Sequence, residues 1–174
     1  MPFCGYHAKS VYSIDRKVFT SLGVKAILVD RDNTLDAYDA LHPRKEAYKL
    51  KEECLSSGLK MFVLSNNHSK ALVSYCEEFG LPYLLSAHKP FRGRVKNFLE
   101  KQGVSLEECV LIGDQLLTDY KLAKRLDIPI ILTEPLIEKD HFVTRFVRWY
   151  DRMKRKSMLR KGRLKEIGSR EEIV

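Results

Sequence analysis

Five short apolar runs, rich in branched residues and separated by segments of helical period, leave this chain few folds to choose from. They cover residues 25–30, 59–65, 83–86, 109–113 and 128–133. None is long enough for a core helix, and unbroken apolar character marks strands covered on both faces. Helical periodicity occupies 44–56, 69–79, 91–102 and 116–125, with a shorter helix at 15–22 ahead of the first run. Pro43 opens the 44–56 helix and Gly58 closes it, while Gly80 closes the next. Proline pre-sets helical φ at a first turn, and glycine accepts the left-handed turn after a last one. Strands alternating with helices require right-handed crossovers. The expected fold class is therefore α/β: a three-layer, Rossmann-like parallel sheet with helices on both faces.

Sheets of this kind bind ligands beyond the carboxyl ends of their strands. A functional chain should then place polar residues just after each run, and this one does. Asp30-Arg31-Asp32-Asn33-Thr34 ends the first run, and Ser65-Asn66-Asn67 the second. His88-Lys89-Pro90 follows the third, and Gly113-Asp114 leads on to Asp119 after the fourth. Any one of these could be a helix cap or turn; four at one sheet edge point to a site. Asp30 and Asp32, two residues apart on an extended end, face the same side of the chain. Asp114, from another strand, completes an oxygen set of the kind Mg²⁺ requires. Three such carboxylates without a cation would raise each other's pKa, and a metal or Lys89 resolves that conflict. Ser65 and backbone N–H groups can hold phosphate oxygens, whose charge Lys89 can balance.

In this order and spacing, D-R-D-N-T, S-N-N, K-P and G-D-Q-L-L-T-D resemble the four motifs of the haloacid-dehalogenase (HAD) phosphatases, across residues 30–119. A closer resemblance, covering nearly the whole chain, is to the YqeG-like group of the capless subclass III (subfamily IIIA). It rests on Lys9-Ser10-Val11-Tyr12, the S-N-N and G-D-Q-L-L-T-D motifs, and the basic segment after Glu134-Pro135. It extends more weakly to the mitochondrial phosphatidylglycerophosphate phosphatases. The resemblance implies a HAD-type sheet and a phosphoric monoester hydrolase. In it Asp30 is the nucleophile, Asp32 the general acid and base, and Lys89 the catalytic cation. Ser65, Asn66 and Thr34 are placed by it on the phosphate side, with Thr34 also shaping its loop. It has Mg²⁺ held by Asp30, Asp114 and the backbone carbonyl of Asp32. Gly113 and Asp119 support the site, Asp119 by orienting Lys89 or by standing behind the metal. Arg31 departs from the pattern, which usually has an apolar residue there. On a strand end its side chain should point away from both aspartates, its stem packed and its head meeting a carboxylate or water.

Two further features bear on substrate. The intervals after the first and second motifs are too short for an inserted domain of ~50 residues. No cap domain is expected, only a short flap near 36–42, so the site should be open to large phosphorylated substrates. The net charge of +8 is concentrated in residues 141–165, where ten Lys or Arg face one acid, Asp151. Phe142, Val143, Phe146, Val147, Tyr150 and Met153 recur at steps of three or four there. The chain therefore divides into a catalytic domain, 1–140, and a basic amphipathic helix and tail, 141–174. Residues 142–150 could dock on the domain, whereas Lys154 to Lys165 read as a surface for an anionic partner. Phosphatidylglycerophosphate at a membrane is the first substrate candidate; the alternatives are a nucleic-acid end phosphatase and a non-catalytic basic adaptor. With no apolar run of ~18 residues and no signal-like start, a cytoplasmic protein, peripheral on the inner membrane face, is expected. The four cysteines, without a CxxC pair, should be reduced and mostly buried.

Overall fold

The computed structural model describes residues 3–137 and 142–167, of which 142–149 in backbone only. Its strands are β1 (Gly5–Ala8), β2 (Ala26–Asp30), β3 (Lys60–Leu64), β4 (Tyr83–Leu84), β5 (Cys109–Gly113), β6 (Ile130–Thr133) and β7 (Lys165–Glu166). Its helices are α1 (Lys17–Ser21), α2 (Lys45–Ser56), α3 (Lys70–Phe79), α4 (Gly93–Lys101), α5 (Lys121–Leu126) and α6 (Phe142–Arg160). The strands form one sheet in the order β4-β3-β2-β5-β6-β1-β7, with every pairing parallel.

Strand alternation sorts the core into two layers. Ile27, Val29, Met61, Val63, Val110 and Ile112 face one side, where α1, α2 and α3 cover them through Phe19, Leu50, Leu72 and Phe79. Leu28, Phe62, Leu64, Leu111, Ile130 and Leu132 face the other, under Val95, Leu99, Leu122, Leu126 and Met158 of α4, α5 and α6. β2 and β5, at the middle, are buried at every position, which is why they read as unbroken apolar runs. Local signals set the helix ends: Ser69 caps α3 by accepting from Leu72 N, and Gly80 closes it at φ 68°. Cys54, Cys76 and Cys109 are buried free thiols, and Cys4 is partly buried. Among the described residues no folded domain is inserted: residues 31–44, 65–69 and 85–92 separate β2 from α2, β3 from α3 and β4 from α4.

The structure departs from expectation at one end of the sheet, beyond β6. β1 and β7 have no apolar run and were not foreseen. β1 pairs with β6, and β7 adds to β1, so hydrogen bonding to an existing edge, rather than side-chain pattern, makes them strands. Gly5 reflects that closeness. A Cβ there would lie 2.7 Å from Leu164 Cδ2 and 2.9 Å from Arg163 O.

The expected free surface at 154–165 is also corrected. Met158 and Leu164 are in the core, and Arg155 is only 4% exposed. Tyr150 and Met153, by contrast, are exposed; the side chains of the expected docking stripe at 142–149 lie outside the described residues. Apolar residues thin out after Lys154, but the two that remain at the right positions are the ones that dock. Lys154, Lys156, Arg160 and Lys161 do remain exposed.

Candidate active site

The carboxyl edge collects the predicted residues. Asp30 ends β2, Ser65 follows β3, Lys89 stands in the loop after β4, and Asp114 follows β5. Asp119 sits in a π turn, Leu116–Tyr120, between β5 and α5. Single π turns are frequent where a helix must present a functional side chain, and this one turns Asp119 back toward β5. Gly113 makes the return possible, since a Cβ there would lie 2.6 Å from both Cβ and Oδ2 of Asp119.

Lys89 is the hub. Its Nζ donates to Asp30 Oδ1 and, at 2.8 Å, to Asp119 Oδ1, all three side chains being nearly solvent-free. Asp30, Asp114 and Asp119 each present a carboxylate oxygen within 4.8 Å of the others, all buried. One ammonium therefore faces three carboxylates. Burial drives the Asp30 pKa well up, with Asp119 and Asp114 adding to it and Lys89 opposing. Asp114 is pushed up to about 7 by burial and Asp119, against Lys89 and Arg155. Burial pulls Lys89 down, yet Asp119 and Asp30 outweigh it and hold the amine charged. The cluster lacks positive charge, and Asp114 Oδ1 is buried with no hydrogen-bond partner. A hard divalent cation fits both facts, because it supplies the charge and takes the orphaned oxygen.

Asp32 has a different set of partners. Its Oδ2 accepts from Ser65 Oγ at 2.8 Å and its Oδ1 from Arg31 Nη1 at 2.9 Å. Arg31 thus does not point away from both aspartates. Arg31 N still bonds Leu64 O at 2.9 Å and its side chain lies on the Val29 and Tyr75 face of the sheet, away from Asp30, but the chain turns just after it, with Asn33 at φ 61°, and brings the Asp32 carboxylate within reach. The Arg31 head also donates to the carbonyls of Tyr38, at 2.7 Å, and Ala40, and lies 4.3 Å from the Tyr75 ring centroid. It ties the 36–42 flap to Asp32 without touching Asp30. Asp36 anchors the same flap, accepting from Arg44 N and Nε and from Tyr75 OH at 2.9–3.1 Å.

Asn66 is a second adjustment. Its side-chain amide donates to Lys89 O at 3.0 Å and accepts from Lys89 N at 2.7 Å. With both ends of the amide committed to that backbone, Asn66 positions Lys89 instead of facing the phosphate side. Thr34 is buried in the motif loop, and its Oγ1 has no partner.

The sequence pattern missed Arg155. From α6 it reaches across the carboxyl edge, donating to Asp114 O, to Thr133 O at 2.8 Å and to Asp151 Oδ2 at 2.7 Å. Asp151 in turn accepts from Leu116 N at 3.0 Å. The available hint was Asp151 itself, the one acid in the basic stretch, four residues before an arginine.

Comparison with known proteins bears on the family and the fold. Residues 86–135 match the family described as HAD-hydrolase-like. The probable phosphatase YqeG of Bacillus subtilis (strain 168) is 31% identical over 156 residues, covering 90% of this chain and 91% of that protein. The chloroplastic/mitochondrial phosphatidylglycerophosphate phosphatase 1 of Arabidopsis thaliana is 29% identical over 88% of this chain, which spans 47% of that longer protein. Among solved structures, a putative HAD family hydrolase from Streptomyces avermitilis superposes with a TM-score of 0.53 at 17% identity, covering 79% of this chain and 83% of that one. The cobalt-bound deoxy-D-mannose-octulosonate 8-phosphate phosphatase of Haemophilus influenzae gives 0.50 at 15% identity, covering 66% and 80%. These two likenesses concern the fold.

Proposed function

We propose that this chain, which belongs to the YqeG group of HAD-type phosphatases and is a phosphoric monoester hydrolase, works through a covalent phosphoryl group on Asp30. The observation that carries the reading is the buried Asp30–Lys89–Asp119 contact beside Asp114. It sets a carboxylate nucleophile just beneath the carboxyl edge of the sheet, with Lys89 supplying part of the compensating charge.

In the first step an Asp30 oxygen attacks phosphorus while the bond to the leaving oxygen breaks, and Asp32 gives its proton to that oxygen. In the second, Asp32 takes a proton from water as the water attacks phosphorus. The bond to Asp30 breaks, releasing inorganic phosphate and restoring the carboxylate. Ser65 Oγ, now donating to Asp32, is close enough to the same edge to turn to a phosphoryl oxygen. Lys89 balances charge through both steps. Asp30 and Asp114 would hold Mg²⁺ together with the backbone of Asp32, and Asp119 lies near enough to join or support them. When bound, the ion supplies electrostatic stabilisation of the transferring phosphoryl group.

The proposed substrate is a lipid-borne phosphomonoester, phosphatidylglycerophosphate first, supported by the Arabidopsis relative's name and by the uncapped edge. The test is phosphate release from p-nitrophenyl phosphate and from phosphatidylglycerophosphate vesicles, with and without Mg²⁺, for wild type and Asp30→Asn. Undiminished Mg²⁺-dependent hydrolysis by Asp30→Asn refutes the covalent mechanism. Hydrolysis of the soluble ester without any release from the vesicles removes the lipid assignment alone.

A further inference from the structure

We propose that the carboxyl edge around the site is an interfacial docking surface for an anionic phospholipid bilayer, with the rim loops and the first turns of the helices, rather than a free C-terminal tail, as the contacting elements. The inference deepens the lipid-substrate reading above by naming what holds the protein at its substrate.

Apolar exposure is the first observation. Among the described residues, the exposed large hydrophobic side chains are Tyr38, Leu41, Leu55, Phe91, Leu117, Tyr150 and Met153. All but Leu55 surround the carboxyl edge. Tyr38 and Leu41 lie in the flap after β2, Phe91 in the loop after β4, and Leu117 in the turn after β5. Tyr150 and Met153 flank Asp151, which is bonded to Leu116 N in that same turn. Single exposed apolar residues are ordinary on any surface, but a cluster on one side marks a contact surface. Phe91 and Leu41 are 68% and 63% exposed, on loop tips that could enter the headgroup region without disturbing the core. At the opposite edge the connecting residues Leu81, Val104 and Ile128 are buried.

Charge is the second. α2, α3, α4 and α5 all begin at this edge, where the helix dipole favours acidic residues. Glu46 is the one acid in those four first turns. Exposed Lys45, Lys70, Arg94 and Lys121 stand there instead, with Arg92 beside them. These cations run against the local preference, and their fields add to the positive ends of the helices. A locally disfavoured choice repeated at one edge points to function. A small anionic substrate would explain the cations but not the apolar rim; a bilayer surface accounts for both, since polybasic attraction and shallow apolar insertion act together.

The experiment is co-sedimentation of the full chain with vesicles of phosphatidylcholine, alone or mixed with phosphatidylglycerol. The wild type should sediment with the mixed vesicles, weakly with phosphatidylcholine alone, and less as salt rises. Leu41→Ser combined with Phe91→Ser should lower the vesicle partition coefficient by about tenfold or more. Lys70→Glu with Arg94→Glu should remove the preference for phosphatidylglycerol. Leu55→Ser, at the far edge, should leave the partition unchanged, and thermal melts will verify that each variant is folded. Wild type remaining in the supernatant with both vesicle types overturns the proposal, as does equal loss on Leu55→Ser and on the rim pair. Retention of single-stranded RNA in place of vesicles would also overturn it. No readout here depends on turnover, so a failure of docking is distinct from a failure of the phosphatase mechanism.

Discussion

Replacing Arg155 with leucine should destabilise the protein and loosen the proposed metal site together. The Arg155 side chain is 5% exposed and Asp151 18%, so the arginine is a buried clasp between α6 and the ends of β5 and β6. Leucine would leave the carbonyls of Asp114 and Thr133 without the donors they now have. A buried acceptor left unsatisfied costs about 1–3 kcal/mol. The lost ion pair adds at most about 1 kcal/mol, because Asp151 keeps some solvent and its bond from Leu116 N. Two carbonyls and the ion pair together come to about 2–7 kcal/mol, or about 4–28 °C in Tm for a domain of this size. Because Asp114 O is one of the two carbonyls, the Asp114 side chain loses its backing as well. The Mg²⁺ concentration giving half-maximal phosphatase activity should then rise about tenfold or more, as it does when groups behind a metal ligand are removed. Thermal melts and a Mg²⁺ titration of p-nitrophenyl phosphate hydrolysis measure the two effects. Arg155→Lys, which keeps the charge but not the three-armed geometry, should fall between wild type and leucine. A leucine variant melting within about 1 °C of wild type would refute the reasoning, since the clasp could then carry none of this stability.

Three other changes test the neighbouring geometry. Gly113→Ala places a methyl 2.6 Å from Asp119 Oδ2, so it should push Asp119 off Lys89, cost about 1–3 kcal/mol by overpacking and lower kcat about a hundredfold; unchanged kcat would show that Asp119 has room to move. Arg31→Met removes the link between Asp32 and the flap carbonyls, so hydrogen exchange at residues 37–42 should speed up; an unchanged exchange pattern would count against Arg31 as the tether. His7, between Glu134 at 2.8 Å and Glu166 at 3.1 Å, has its pKa raised chiefly by the Glu134 bond, against partial burial and with Glu166 helping. A raised histidine contributes stability that is full below its unfolded value of about 6.5 and is lost as pH rises through the folded one. Wild type should therefore lose more Tm than His7→Gln between about pH 6 and pH 9; equal losses would mean that His7 stays neutral in the fold.

The central sheet could be read from the chain because burial on both faces forces continuous apolar strands. At the ends of those strands polar residues recur at four junctions on one edge, a repetition that helix capping alone does not explain. Asp30, Ser65, Lys89, Asp114 and Asp119 were visible in this way, each tied to a strand by a separation of a few residues. Tertiary contact decided what such local patterns cannot carry. β1 and β7 became strands because an open edge was there to pair with. Asn66 was drawn to the Lys89 backbone, and Arg31 to Asp32, only once the loops met. Arg155 looked like one more surface cation until Asp114 and Thr133 offered it carbonyls 41 and 22 residues away. Apolar periodicity records which face of an element is covered, whereas a buried arginine is set by partners distant in sequence. The chain's own pattern thus specified the sheet and the carboxylates at its edge, and long-range hydrogen bonding decided how the loops, the flap and α6 close around them.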